Sequence, residues 1–280
     1  MQIRDAIQQA SQALALSSES ARLDAELLLC KVLGKNRSYL FAWPEKELNA
    51  QQQASFQTWL EQRRQGMPIA YLLGYREFWG LDLEVTAATL IPRPDTELLV
   101  QLALERMSAL TAPSILDLGT GSGAIALALA KERPDAKLLA LDKSAEAVAV
   151  AQRNQQRLGL NNLRLLVSDW FSAVPIASRF DLIVSNPPYI SENDRHLFEG
   201  DVRFEPRSAL SSGVEGLDDL NYIIQTAPNY LNAQGWLLLE HGYDQGLAVT
   251  KLLKMTGYTE VACYPDLGGN DRVSLGCYPL

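Results

Sequence analysis

Asn186-Pro187-Pro188-Tyr189 follows directly on an apolar run, Phe180–Ser185, and its residue types suggest a specific chemistry. The side-chain oxygen of Asn186 can accept one N–H, and the backbone carbonyl of Pro187 can accept a second. Proline fixes φ and carries no N–H, so no neighbouring donor competes for those acceptors. Pro188 biases Pro187 toward extended backbone, and the Tyr189 ring can lie against a flat group. Two oxygen acceptors on a rigid corner beside an aromatic plate form a clamp for a planar nitrogen, either a carboxamide or an aromatic amine. Such a nitrogen is a poor nucleophile because its lone pair is delocalised. Orienting it can supply about 7–11 kcal/mol, and paired acceptors favour a nitrogen that becomes positive as it forms a new bond. No dedicated base is then required, and the only two histidines, His196 and His241, read as surface or structural residues.

A second constellation lies upstream. The run Ile115-Leu116-Asp117-Leu118-Gly119-Thr120-Gly121-Ser122-Gly123 reads as a strand turning into a helix, where glycines let backbone approach a ligand closely. The spacing is Gly-x-Gly-x-Gly, not the Gly-x-Gly-x-x-Gly of dinucleotide enzymes. A carboxylate at Asp117 would repel a pyrophosphate, but it suits the ammonium of the amino-acid part of S-adenosyl-L-methionine. Asp142, at the end of the next apolar run, stands where ribose hydroxyls are held in nucleotide-type sheets. Its blander reading is a helix cap, a role that Ser144 fills better. Asp169 can hold an adenine amino group, and Trp170 can pack on the ring or, as tryptophans often do, in the core. The candidate cofactor-binding set is therefore Asp117, Gly119, Thr120, Gly121, Ser122, Gly123, Asp142, Asp169, Trp170 and Asn186. The candidate catalytic set is Asn186, Pro187 and Tyr189, and Asn186, Pro187, Pro188 and Tyr189 form the candidate substrate clamp.

These residues need a frame. Apolar runs at Ser114–Leu118, 137–141, Leu163–Val167, Phe180–Ser185 and 236–240 read as strands, with helices over 95–107, 122–132, 144–158, 217–230 and 244–255. Two further strands are expected at 259–264 and 272–278. Such alternation predicts a mostly parallel sheet covered on both faces, with ligands at the carboxyl ends of its strands. Residues 76–91 read as extended segments around a turn. Residues 1–75 show helical spacing in Ile3, Ile7, Ala10 and Leu14, and again in Phe56, Trp59, Leu60 and Arg63, as in a small helical bundle. The expected organisation is a helical domain (1–75), a β-hairpin linker (76–93) and a catalytic domain (94–280). Residues 190–216 form a long connection, and loops of that length are usually functional. The segment is expected to shape the substrate mouth, or otherwise to be a solvated loop of mixed charge. Pro92-Arg93-Pro94 either closes over the site or starts a helix.

Composition narrows the classes. The 280 residues carry a formal charge of −8. Residues 1–75 hold 8 Lys/Arg against 7 Asp/Glu, whereas residues 76–280 hold 17 against 26. Proteins that grip nucleic-acid backbone usually concentrate cations, so no direct nucleic-acid substrate is expected. Three cysteines, without CxxC or Cys/His spacing, predict neither a disulfide framework nor a metal site. The polar amino terminus is unlike a signal peptide, and no apolar run reaches the ~18 residues of a membrane span. A cytoplasmic, membrane-free protein is expected.

The glycine loop and the Asn186 tetrapeptide are shared by several amino-methyltransferases, including those acting on adenine, cytosine or guanine in nucleic acid. The remaining motifs are more specific. Tyr71–Gly74, Glu77–Gly80, Leu90–Glu97, Asp169–Phe171, Phe204–Pro206, Gly216–Asp218, Glu240–Gly242 and Asp271–Arg272 occur in register over roughly residues 66–280. With them the chain resembles the release-factor glutamine methyltransferases, the HemK-like protein-(glutamine-N5) methyltransferases. The resemblance implies a Rossmann-like class I methyltransferase sheet, mostly parallel with an antiparallel last strand, together with an N-terminal helical domain and a hairpin linker. It implies S-adenosyl-L-methionine as cofactor and peptide chain release factors as partners, with methyl transfer to the glutamine side chain of their Gly-Gly-Gln motif. By the same resemblance, Gly119, Gly121, Gly123, Asp142 and Trp170 contact the cofactor, and Asn186 to Tyr189 hold the glutamine. A reading from another class, a binding module without catalysis, leaves the intact tetrapeptide unexplained.

Overall fold

In the computed structural model, which describes residues 1–279, the chain forms two compact units. The first comprises Met1–Tyr75 together with Phe198–Phe204. Its helices are α1 (Ile3–Leu14), α2 (Ala21–Leu33), α3 (Arg37–Ala42), α4 (Ala50–Arg64) and α5 (Ile69–Leu73). The helical spacing of α1 buries Ile3, Ala6, Ala10 and Leu14 on one face, against a core that includes Leu28, Leu29 and Phe56. A capping box starts α4: Asn49 Oδ1 accepts from Gln52 N, and Asn49 N donates back to Gln52 Oε1. Arg63, on the apolar face of α4, is buried. Its guanidinium is satisfied by Asp24 Oδ2 and Asp201 Oδ1, each at 2.7 Å, as a buried charge requires.

The second unit comprises Arg76–Leu197 and Glu205–Leu280. It begins with the hairpin of β1 (Tyr75–Phe78) and β2 (Leu81–Glu84), and continues with α6 (Glu97–Arg106), β3 (Ser114–Leu118), α7 (Ala124–Glu132) and β4 (Lys137–Asp142). Then come α8 (Ala145–Leu158), β5 (Leu163–Val167), β6 (Phe180–Ser185), α9 (Asp218–Thr226), β7 (Leu231–Glu240), α10 (Gly246–Met255), β8 (Thr259–Pro265) and β9 (Asp271–Cys277). Seven strands form one sheet in the order β5-β4-β3-β6-β7-β9-β8. The first five are parallel, and β9 runs antiparallel to both its neighbours.

Because successive strand residues face opposite ways, the apolar strands feed two separate cores. Ile115, Leu182 and Val184 join the layer under α6, α7 and α8. Leu116, Leu118 and Ile183 join the layer with α9 and α10. The hairpin belongs to the first of these layers through Phe78, Leu81 and Leu83.

Several elements differ in extent from their expected spans. Helix 217–230 ends at Thr226 and passes into a 3₁₀ turn at Ala227–Asn229, where Pro228 lacks the N–H that would continue the helix. The strand expected at 236–240 starts at Leu231, which pairs with Phe180 ahead of an irregular stretch, Asn232-Ala233-Gln234-Gly235, that carries no apolar signature. The helix expected from residue 95 opens as a 3₁₀ turn, Pro94–Thr96, ahead of α6.

Asn154 of α8 is fully buried and fastens the hairpin to the glycine turn. Its Nδ2 donates to Glu84 O at 3.0 Å and Ser122 O at 2.9 Å, and its Oδ1 accepts from Glu84 N at 2.7 Å. Asn154→Ala leaves these backbone groups unpaired in the interior. The expected loss is about 3 kcal/mol of stability, read as a lower denaturation midpoint at unchanged slope. A loss under about 0.5 kcal/mol would show that Asn154 fastens nothing.

Candidate active site

The carboxyl ends of β3, β4 and β6 open on a cavity of about 800 Å³. Its lining includes Gly119, Gly121, Asp142, Asp169, Trp170 and Asn186. Pro188 lines the same cavity, so the glycine turn and the Asn186 corner face one space. Asp117, Thr120, Ser122, Gly123, Pro187 and Tyr189 are not among the residues that line it.

The glycine turn is fixed by its neighbour strand. Gly119 and Thr120 donate their N–H groups to Leu141 O. Gly119 takes φ +73°, a conformation that L side chains rarely adopt, and a side chain there would lean on the Trp170 ring. Asp142 accepts from Gly121 N at 2.8 Å through Oδ2 and from Ser144 N at 2.9 Å through Oδ1. Ser144 Oγ in turn caps α8 through Ala147 N. Burial pushes the Asp142 carboxyl above its usual range. Asp117 is 1% exposed. Its Oδ2 accepts from Thr120 Oγ1 at 2.6 Å, while Oδ1 has no partner among the described residues. Burial raises its pKa to about 7, opposed by the Thr120 hydrogen bond and assisted by the nearby Asp142 charge.

Past β5, Asp169 pairs with Lys143 at 3.0 Å on an exposed rim. Trp170 stands between the core and the cavity. It packs on the α9–α10 core layer, lines the cavity, and donates Nε1 to Asp219 Oδ1 at 3.2 Å.

At the corner, Ser185 Oγ donates to Leu118 O at 2.7 Å and ties the ends of β6 and β3. Asn186 Nδ2 donates to Thr96 Oγ1 at 3.2 Å, which leaves Asn186 Oδ1 as its unspent acceptor. The Tyr189 carbonyl accepts from Gln245 Nε2 at 3.0 Å. Gly216 (φ +71°) passes so near that carbonyl that any Cβ would collide with it. The Tyr189 hydroxyl donates to Glu240 Oε1 at 3.3 Å. Burial, then the Glu240 charge, drives its pKa upward, so it stays a neutral donor.

The 190–216 connection is split between the two units. Pro206, Ser208, Ala209 and Ser211 line the cavity, whereas Phe198–Phe204 packs with the helical unit. Glu205 is buried and accepts from Ile91 N and Arg93 Nη2, which fixes the segment before Pro94. His196 is exposed and bonded to Asp194. His241 is buried between Gly242 O and Ser274 Oγ. Thr96, Asp219, Glu240 and Gln245 are further site residues, beyond those expected from the sequence. A carboxylate ending an otherwise apolar strand was the available signal for Glu240.

Comparison with known proteins matches residues 5–74 to the PrmC N-terminal domain and residues 95–200 to the methyltransferase small domain. The release factor glutamine methyltransferase of Shewanella oneidensis is 53% identical, over 98% of this chain and 95% of its own. The Pseudomonas aeruginosa protein of that name is 56% identical, over 92% and 93%. Among solved structures, a methyltransferase from Pyrococcus furiosus shares the fold with a TM-score of 0.55 at 20% identity, over 80% of this chain and 98% of that one. The 16S rRNA N2 G1207 methyltransferase of T. thermophilus shares it at 0.52 and 21%, over 72% and 49%. The sheet is a class I methyltransferase sheet, its cofactor is S-adenosyl-L-methionine, and the chain belongs to the release factor glutamine methyltransferase family.

Proposed function

We propose that this protein methylates the side-chain amide nitrogen of the glutamine in the Gly-Gly-Gln motif of peptide chain release factors. One observation carries the reading. Asn186 commits its Nδ2 to Thr96, and so keeps an acceptor oxygen at the wall of a cavity shared with the glycine turn. S-adenosyl-L-methionine supplies a methyl on a positive sulfur. The residues fit it: an unpartnered buried oxygen of Asp117 suits the ammonium, and Gly119, Thr120, Gly121, Ser122 and Gly123 provide a turn that backbone can present closely. Asp142 takes the ribose hydroxyls, Asp169 the adenine amino group, and Trp170 the ring face.

Asn186 Oδ1 and the Pro187 carbonyl accept the two N–H bonds of the target carboxamide, Pro188 fixes the corner, and Tyr189 stands behind it. The transfer calls on neither histidine as a base: His196 is bonded to Asp194, and His241 lies between Gly242 O and Ser274 Oγ. The enzyme works in the cytoplasm, where release factors act, with residues 1–75 as a helical domain, 76–93 as a hairpin linker and 94–280 as the catalytic domain. The excess of acid in residues 76–280 favours a protein substrate over nucleic acid. Incubation with methyl-labelled cofactor and either a release factor or RNA and DNA tests this. Label in the release factor is expected, and label in nucleic acid alone would overturn the reading.

Cofactor affinity should depend on pH. The buried Asp117 carboxyl titrates at about 7 without a counter-charge. An ammonium beside Asp117 favours its ionised form, so binding releases a proton below that value and affinity rises with pH. Calorimetry should show binding about fivefold tighter at pH 7.5 than at pH 6, a range below the ~8 at which the cofactor's own ammonium loses its proton, and Asp117→Asn should flatten the profile. A wild-type affinity constant over that range would contradict the role.

A further inference from the structure

The Trp170 ring is held at both ends. A Cβ at Gly119 would stand 3.5 Å from Cζ3 of its six-membered ring, so that end lies against the glycine turn. At the other end Nε1, the single hydrogen-bond donor of an indole, donates to Asp219 Oδ1 at 3.2 Å. The backbone beneath the ring is strained: Trp170 takes φ +49°, which a bulky residue adopts only where its surroundings impose it. Buried Ser168 holds that backbone, its Oγ donating to Trp170 O at 2.7 Å and accepting from Ala173 N at 3.0 Å. Ser168 thus fixes the main chain, and the polar hold on the ring itself is the Asp219 bond.

Asp219 has a firm anchor of its own. Its backbone N donates to Ser212 Oγ at 2.8 Å, and Ser212 N donates to Ile190 O, one residue past the tetrapeptide. Between Ser212 and α9, Gly216 passes against the Tyr189 carbonyl. Gln245 Nε2 donates to Tyr189 O at 3.0 Å and to Gly216 O at 3.3 Å. The segment that carries Asp219 is therefore tied to the Asn186 corner, while the Asp219 side chain reaches the ring. Asp219, Trp170 and Asn186 all line the one cavity.

We propose that Asp219 is a positioning residue, which sets the tilt of the Trp170 ring and so seats the adenine of S-adenosyl-L-methionine. This rests on the proposed reading of Trp170 as the plate under that ring. Without an acceptor, a partly buried indole N–H favours side-chain torsions that return it to water, and each of those torsions swings the plate away from the adenine face. A carboxylate acceptor makes a stronger bond than a neutral one. Because Asp219 is anchored through Ser212 to the segment beside the corner, the ring follows Asp219 rather than the reverse.

The test titrates the full chain with S-adenosyl-L-methionine in a calorimeter at one pH. Asp219→Ala should weaken binding about fivefold. Asp219→Asn, whose side-chain oxygen still accepts, should stay within about twofold of wild type. Asp219 is half-buried and its bond to Ser212 is made by the backbone, so the alanine variant keeps that tie. Trp170→Phe retains an aromatic ring but removes the donor, and in that background Asp219→Ala should add less than about 1.5-fold. Asp219→Ala within about 1.5-fold of wild type, or the same fivefold loss repeated in the Trp170→Phe background, would overturn the proposal. Trp170→Ala with wild-type affinity would instead overturn the adenine reading. A loss in Trp170→Ala beside unchanged affinity in Asp219→Ala would remove Asp219 alone.

Discussion

Asn186→Ala should lower the rate of methyl transfer to a release factor by a factor on the order of 10³, with a much smaller change in cofactor affinity. The magnitude follows from what the residue supplies. Loss of one preorganised polar contact to a charge that develops during reaction costs about 10²–10³ in comparable sites, and misplacement of a delocalised nucleophile adds to that. Asn186 is well suited to such a role because its environment is rigid. Ser185 is tied to Leu118 O, Pro187 and Pro188 fix the backbone, and Gln245 holds the Tyr189 carbonyl. Asn186→Asp separates acceptor from geometry. It keeps an oxygen toward the cavity but loses the N–H donated to Thr96, so it should retain more activity than alanine and less than wild type. An alanine variant that transfers methyl at an unchanged rate would remove Asn186 from the chemistry.

The second large effect concerns Asp142. Asp142→Ala should weaken S-adenosyl-L-methionine binding by at least about an order of magnitude, since hydrogen bonds to a charged acceptor are worth roughly 1.5–3 kcal/mol each. The fold makes this carboxylate more than a ribose acceptor. It also receives the N–H groups of Gly121 and Ser144, so its removal loosens the turn that faces the cavity. Asp142→Asn keeps one acceptor oxygen and should fall between the two in calorimetric titration. Unchanged affinity in the alanine variant would place the ribose elsewhere.

The parts of this fold that were legible in sequence share a physical cause. Ser114–Leu118, Leu163–Val167 and Phe180–Ser185 are central or flanking strands whose apolar runs end where the strands end. Only half of β7 shows in the sequence, because Asn232-Ala233-Gln234-Gly235 is an irregular stretch with little apolar burial. The glycine turn and the Asn186 corner were visible because each motif is local, its chemistry contained in consecutive residues. The bonds that hold the corner are not legible in the sequence, since Thr96 and Asn186 are 90 residues apart and Tyr189 and Glu240 are 51 apart. Only the sheet order, which sets β7 beside β6, brings Glu240 under the corner. The Asp24–Arg63–Asp201 group was hidden for the same reason. Arg63 fits the apolar face of α4 by spacing, and its buried partners lie far away in sequence.

Mass spectrometry of a release factor incubated with this protein and S-adenosyl-L-methionine tests the central claim most directly. A single added methyl on the glutamine side chain of Gly-Gly-Gln, formed by wild type and lost with Asn186→Ala, is the predicted result. A methyl found on any other residue, or an unmodified glutamine after exhaustive reaction, would contradict it.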